Sequence, residues 1–205
     1  MVTLKTELEG LSACEKGVLW ASQFRGARQE CWAACERPDW MLWYLGTMVA
    51  LRRFHRKNLV IIACQCARTA LQYASDGEKI ALAAIETVEA WAGGTRGVSL
   101  RDVHIVAKAA YAAADAVAKF DHSAFSSSYA AFCAANTAYC AANTAAWTAS
   151  SAAFSAAHAA VSAAHGCSAD VRQAAYRAMV RIIRRSVPKI SVVKPATNIV
   201  AGRLP

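Results

Sequence analysis

Between Phe125 and His165 the chain carries no Asp, Glu, Lys or Arg, and alanine fills nearly half of the positions. No Gly or Pro interrupts this stretch, and alanine has the strongest intrinsic helix preference of any residue. The spacing predicts how such a helix packs. Ala131, Ala135, Ala138, Ala142, Ala145, Ala149, Ala152 and Ala156 follow one another at alternating steps of four and three, the seam of a heptad repeat. Alanine in place of Leu or Ile lets a partner backbone come near, toward or below about 8 Å between axes. Each alanine buries little area, so close approach and length have to supply the stability. Cys133, Cys140, Trp147, Phe154 and Val161 form a bulkier flank. Asn136, Asn143, Thr137, Thr144, Ser151, His158 and His165 form the polar side. A rod so poor in charge needs cover from the rest of the chain or from a second copy of itself.

The remainder reads as helical too. Pro38 is the only proline before Pro188, and no segment alternates with period two long enough to make a strand. Helices are expected over Leu11–Phe24, Gln29–Cys35, Trp40–Leu51, Asn58–Ala74 and Glu78–Trp91, with Asp39 capping the third. Gly93–Gly97 is the clearest loop. Ser99 then opens a helix with Asp102 three residues later, in capping-box position. The pattern runs on to Gly166, roughly 100 Å as a single rod, or a hairpin folded near Asp121–Ser128. Ser168 is placed to cap a last helix over Ala169–Arg185, which Pro188 stops. The expected fold is all-α, with an N-terminal helical subdomain (1–97), the alanine-rich helix plus a basic helix (98–186), and a tail (187–205).

The 205 residues carry a net charge of +9 and an apolar fraction of 56%, enough for a core without staples. From Val171 onward there are eight basic residues and no acidic one, while the rest is close to neutral. Arg172, Arg177, Arg181, Arg184 and Arg185 make this end a candidate surface for an anionic partner, with Arg177, Arg181 and Arg184 expected on one helical face. No run of about 18 purely apolar residues is present, so no membrane span is expected. The opening residues carry Lys5, Glu7 and Glu9, which do not form a secretory leader, and the expected compartment is the cytoplasm. Eight cysteines should stay reduced there.

No catalytic signature stands out. Phosphate loops, dinucleotide fingerprints, nucleophile elbows and paired carboxylates are absent from the sequence. His158 and His165 lie two turns apart, too far for one metal ion, and the cysteine spacings match no standard pair of zinc knuckles except loosely at Cys31. The expectation is a chain without cofactor, metal site or enzymatic activity.

Three stretches carry a resemblance: Leu11-Ser-Ala-Cys14; Trp32-Ala-Ala-Cys35-Glu-Arg-Pro-Asp39-Trp40-Met-Leu-Trp43-Tyr-Leu-Gly46; and Cys64-Gln-Cys66-Ala-Arg68. Together they are similar to the Imm-5-like family of helical immunity proteins, found in bacterial toxin loci and, as alanine-rich chains, in phages. The likeness spans about residues 11–70 by motif and 99–185 by composition. It implies a module that binds and neutralises a toxin or a host defence protein without catalysis. It also implies structural roles for Asp39, Trp40, Trp43, Cys64 and Arg68. Trp40 and Trp43, at i,i+3, are expected as core anchors, and Arg68 as the partner of Asp39 or Glu36. Two other readings stay open: a nucleic-acid-binding accessory protein using the arginine cluster, and a self-assembling structural phage protein.

Overall fold

The computed structural model describes residues 4–24, 27–71, 78–117 and 169–190. Among them are eight helices and no strand: α1 (Leu4–Gly10), α2 (Glu15–Ser22), α3 (Arg28–Ala34), α4 (Pro38–Ala50), α5 (Arg56–Leu71), α6 (Glu78–Gly93), α7 (Leu100–Val117) and α8 (Ala169–Ser186). The fold is all-α, as the sequence pattern requires. The alanine seam Ala131–Ala156, the turn near Asp121–Ser128, the Ser168 cap and the tail past Ile190 lie outside the described residues.

α5 organises the rest. Leu59, Val60, Ala63, Cys64, Cys66 and Ala67 are fully buried, and Ile62 nearly so. A helix buried on most sides belongs in the middle of a domain. Its neighbours are α4, α6 and α8, and α6 carries α7 on its far side. Ala63, Cys64 and Ala67 are small, and Ala81 and Ala84 on α6 are buried as well, so these backbones can pack closely. α7 contributes Val103, Ala107 and Ala110 to the core, and α8 contributes Ala175, Met179, Val180 and Ile183. The loop at Gly94–Ser99 therefore joins helices of one core, and the described parts of 98–186 pack with the first 97 residues.

The helix ends show how the chain turns. Pro38 stands at the first position of α4, where its missing N–H costs nothing. Arg37 occupies the cap position without a side-chain cap bond. Asp39 is thus not the cap expected from its place in the sequence. It sits in the first turn, where the helix dipole favours a carboxylate, and takes two bonds from Arg37, Nε–Oδ1 at 2.9 Å and a terminal nitrogen to Oδ2 at 2.6 Å. The capping box of α7 forms as read. Asp102 Oδ2 accepts the Ser99 N–H and the Ser99 hydroxyl, each at 2.7 Å, and these bonds hold the carboxyl below its ordinary range.

Three helices end in the same way, with a residue at positive φ closing two backbone bonds. After α6 this residue is Gly94 (φ 80), with Thr95 N–H on Ala90 O at 2.9 Å and Gly94 N–H on Trp91 O at 3.1 Å. After α1 it is Ser12 (φ 59) and after α4 it is Arg52 (φ 56). The Ser12 turn divides the expected Leu11–Phe24 helix, so that α1 precedes it with Leu4 and Leu8 buried and α2 begins at Glu15.

Arg68 corrects another expectation. Its guanidinium meets neither Asp39 nor Glu36. It grips Glu89 on α6, Nε–Oε1 at 3.0 Å and a terminal nitrogen to Oε2 at 2.7 Å. Asp39 is already committed to Arg37, and Arg68 turns toward the neighbour helix.

Arg52 in the left-handed region bears a steric cost that glycine lacks. Replacing it with glycine is expected to stabilise the fold by about 1 kcal/mol, raising Tm by about 2–4 °C in a thermal melt followed by circular dichroism.

Candidate binding cavity and basic helix

The side of α4 that turns away from α5 faces α1, α2 and α3, and a cavity of about 390 Å³ opens between these four helices. Four of the six tryptophans line it: Trp20 from α2, Trp32 from α3, and Trp40 and Trp43 from α4. Their rings hold one another at a tilt. Trp20 and Trp40 have centroids 5.8 Å apart at 54°, and Trp32 and Tyr44 are 6.4 Å apart at 52°, within the favourable range for aromatic pairs. The Arg37 guanidinium lies 4.6 Å from the centre of the Trp40 ring, a cation–π contact. A Cβ at Gly17 would sit in ordinary contact with the Trp40 ring at 3.9 Å and press on Cys14 Sγ at 3.3 Å, so α2 lies directly against Trp40 at this point.

Trp40 and Trp43 are therefore wall residues, half-buried. The anchors that α4 sends into the core are Met41, Leu42 and Leu45. The i,i+3 spacing did place the two tryptophans on one face, but that face looks onto the cavity.

Charges around the cavity are matched in pairs. Arg28 of α3 holds Glu7 of α1 through Nε at 2.7 Å and a second guanidinium nitrogen, and both side chains are mostly buried. Arg37 and Asp39 form the second pair. The Tyr44 hydroxyl is buried and has no hydrogen-bond partner among the described residues. Burial first, and the Glu7 carboxylate second, push this phenol up to about 12.

Cys14, Cys31 and Cys35 also line the cavity. Burial, with a contribution from Cys35, pushes the Cys31 thiol up to about 12, and burial pushes Cys35 up to about 11. Cys64 and Cys66 are raised as well, again through burial. These are neutral packing thiols at physiological pH, since nucleophilic cysteines need the opposite shift. Among the described residues no three His, Cys, Asp or Glu side chains gather as a metal site.

One wall of the cavity comes from the far end of the chain. Past α8, residues Val187 to Ile190 are strapped across α3. Trp32 Nε1 donates to Val187 O at 3.0 Å, Gln29 Nε2 to Pro188 O at 3.1 Å, and Ile190 N–H to Gln29 Oε1 at 3.2 Å. The first residues of the expected tail are thus docked, and Ile190 lines the cavity.

α8 separates the five arginines. Arg172, Arg177, Arg181 and Arg185 are exposed. Arg184 is not part of that surface. Its terminal nitrogen donates to Cys35 O at 2.8 Å, and its buried Nε has no partner among the described residues. The exposed row is Arg177, Arg181 and Arg185, one per turn, opposite Met179 and Ile183. Periodicity alone assigned Arg184 to that row in place of Arg185; what overrides it is the contact with the turn between α3 and α4.

The chain matches no protein-family profile, no curated protein and no solved structure. No helix among the described residues is long and apolar enough to cross a membrane.

Cysteine reactivity checks this arrangement. Near pH 8 a thiol with its pKa at 12 is thiolate in roughly one molecule in ten thousand, against about one in four for an ordinary thiol. Among the described cysteines, iodoacetamide followed by peptide mass mapping should mark the exposed Cys14 first. Cys31 and Cys35 should follow far more slowly, at a rate that rises with pH. Cys64 and Cys66 should react only in denaturant.

Proposed function

We propose that the chain is a non-catalytic protein-binding module that holds and neutralises a toxin or a host defence protein. The observation that carries the reading is the outer face of α7. This helix packs Val103, Ala107 and Ala110 against the core and turns Ile105, Ala109 and Ala112 outward. Ile105 is 55% exposed. Ile105, Ala109 and Ala112 stand at i, i+4 and i+7 with the exposed Arg101 and Lys108 beside them, so the outer face of α7 carries a short apolar strip flanked by two cations. Two alanines beside an isoleucine suit the close approach of a second helix. The similarity of residues 11–70 to the Imm-5-like family supplies the class of partner.

Ile105→Asp is the test. Introducing a carboxylate at the centre of the stripe should weaken capture of the partner by about 2 kcal/mol, roughly thirtyfold in Kd, with the circular dichroism spectrum unchanged. Co-expression of the captured partner should slow growth of the host, and the wild-type chain should restore it where the variant does not. Equal capture by both chains would remove α7 from the reading, and a captured partner that is harmless to the cell would remove the toxin.

A second reading has its own observation, the row Arg177, Arg181 and Arg185. Three cations at one-turn spacing on an exposed face suit a phosphate backbone. In mobility-shift assays on duplex DNA, log K should fall against log salt with a slope of about −3 from these residues. Replacing all three with Gln should take that slope away. Failure to bind at low salt discards this reading.

A further inference from the structure

We infer that the cavity between α1, α2, α3 and α4 is a docking site for an apolar peptide segment, and that its occupant is residues 191–193 of the same chain, with the Val192 side chain inside. The inference goes beyond the protein-binding reading and uses none of the α7 residues.

The direction of the chain carries the argument. Every described lining residue comes from positions 4–44 except Ile190, which reaches the cavity from the other end of the sequence. Three bonds bring it there. The Gln29 side-chain amide donates to Pro188 O at 3.1 Å and accepts the Ile190 N–H at 3.2 Å, while Trp32 Nε1 donates to Val187 O at 3.0 Å. Gln29 thus grips the backbone on both sides of Lys189, and Ile190 is the last described residue. From this point at the cavity wall the chain continues through Ser191, Val192 and Val193 toward Pro205. An extended chain advances at most about 3.3–3.6 Å per residue, so Val192 is never more than about 7 Å along the chain from a residue that already lines the space.

The chemistry of the walls suits this segment. A cavity of about 390 Å³ is far larger than the voids that folded proteins ordinarily leave empty. Leu4, Leu8, Trp20, Trp40 and Trp43 favour an apolar guest over water. The two charged lining residues, Arg28 and Asp39, are already paired with Glu7 and Arg37, so the described lining holds no unmatched charge for an ionic guest. Ser191, Val192 and Val193 bring none. Register selects between the two valines. Both are β-branched and favour extended backbone, and Pro195 biases Lys194 the same way. Positions two apart in an extended segment share a side, so Val192 follows Ile190 inward and Val193 faces away. A segment tethered two residues from the wall has a high effective concentration there, which favours it over the same segment of a second copy.

The test is methyl NMR on the full chain with isotope-labelled valine, the two signals being identified by their loss in Val192→Ala and Val193→Ala. The Val192 methyls should lie upfield of the free valine position, shielded by the indole rings, and should show cross-peaks to indole protons. The Val193 methyls should show neither. Chains with labelled valine and deuterated tryptophan, mixed with unlabelled chains, should lose the cross-peaks. Val192→Asp should increase acrylamide quenching of tryptophan emission, and Val193→Asp should not. The inference is overturned if the Val192 methyls stand at the free position without indole cross-peaks, or if Val193 makes the contact instead. It is overturned equally if the cross-peaks survive in the mixture, which would give the cavity to the tail of a second copy, or if Val192→Asp leaves the quenching unchanged.

Discussion

The packing of α5 on three sides is the constraint from which the other positions follow. A helix with Leu59, Val60, Ala63, Cys64, Cys66 and Ala67 all inaccessible leaves no sizeable apolar side free. α4, α6 and α8 each cover a part of it. Leu42 and Leu45 seat α4 in the core, Met41 is buried where core and cavity meet, and Trp40 and Trp43 turn to the cavity. Over that side α1 brings Leu4 and Leu8, and α2 and α3 bring Trp20 and Trp32. What covers it is a ring of indoles, and a ring of large planar groups that meet at a tilt leaves a void. The cavity is thus a consequence of where α4 has to sit.

Polar bonds between elements act on a different scale. Arg68–Glu89 is partly solvent-exposed, and pairs of that kind contribute about 0–1 kcal/mol. Full burial of a side chain such as Ile183, Met179 or Leu42 contributes about 1.5–3 kcal/mol each. The core therefore decides that the helices associate, and the bidentate Arg68–Glu89 pair adds a single directional tie between α5 and α6. Arg184 differs from both. Its guanidinium is drawn inward to the Cys35 carbonyl, and together with Trp32 and Gln29 it joins the end of α8 to α3. The strap thereby ties the last described residues to α3, and Ile190 becomes a wall of the same cavity.

How far the sequence could be read depended on whether a signal was local. The capping box at Ser99 and Asp102 is local and forms as read. So are the stops at Gly94 and Pro188, and the helical character of a chain almost without proline. The turn at Ser12 was not legible, because a serine in left-handed conformation leaves no mark that distinguishes it from a helical serine. Only the burial of Leu4 and Leu8, an i,i+4 pair ahead of Gly10, could have signalled α1. Tertiary facts were the hardest. Spacing placed Trp40 and Trp43 on one face without saying whether that face met the core or a void. It grouped Arg184 with Arg177 and Arg181, where only the position of Cys35, far away in sequence, turns it inward. The Tyr44 hydroxyl could not be singled out at all, since an unpartnered group is defined by what surrounds it in space.

The distribution of unspent interaction across the molecule bears on function more than any single residue does. α7 keeps Ile105 outward between Arg101 and Lys108, α8 keeps a row of arginines outward, and Tyr44 keeps an unpartnered hydroxyl inward. These three features lie on different elements and differ in chemistry, and none is required by the core. Val103, Ala107 and Ala110 already seat α7, so Ile105 could be polar without loss to the fold. Met179 and Ile183 already seat α8, so three arginines in register are more positive charge than anchoring needs. A phenylalanine would fill the place of Tyr44 with the same ring and no desolvated hydroxyl. Positions where a more stabilising choice is available are the ones the fold leaves open, and those on α7 and α8 are where the proposed partners are to be tested.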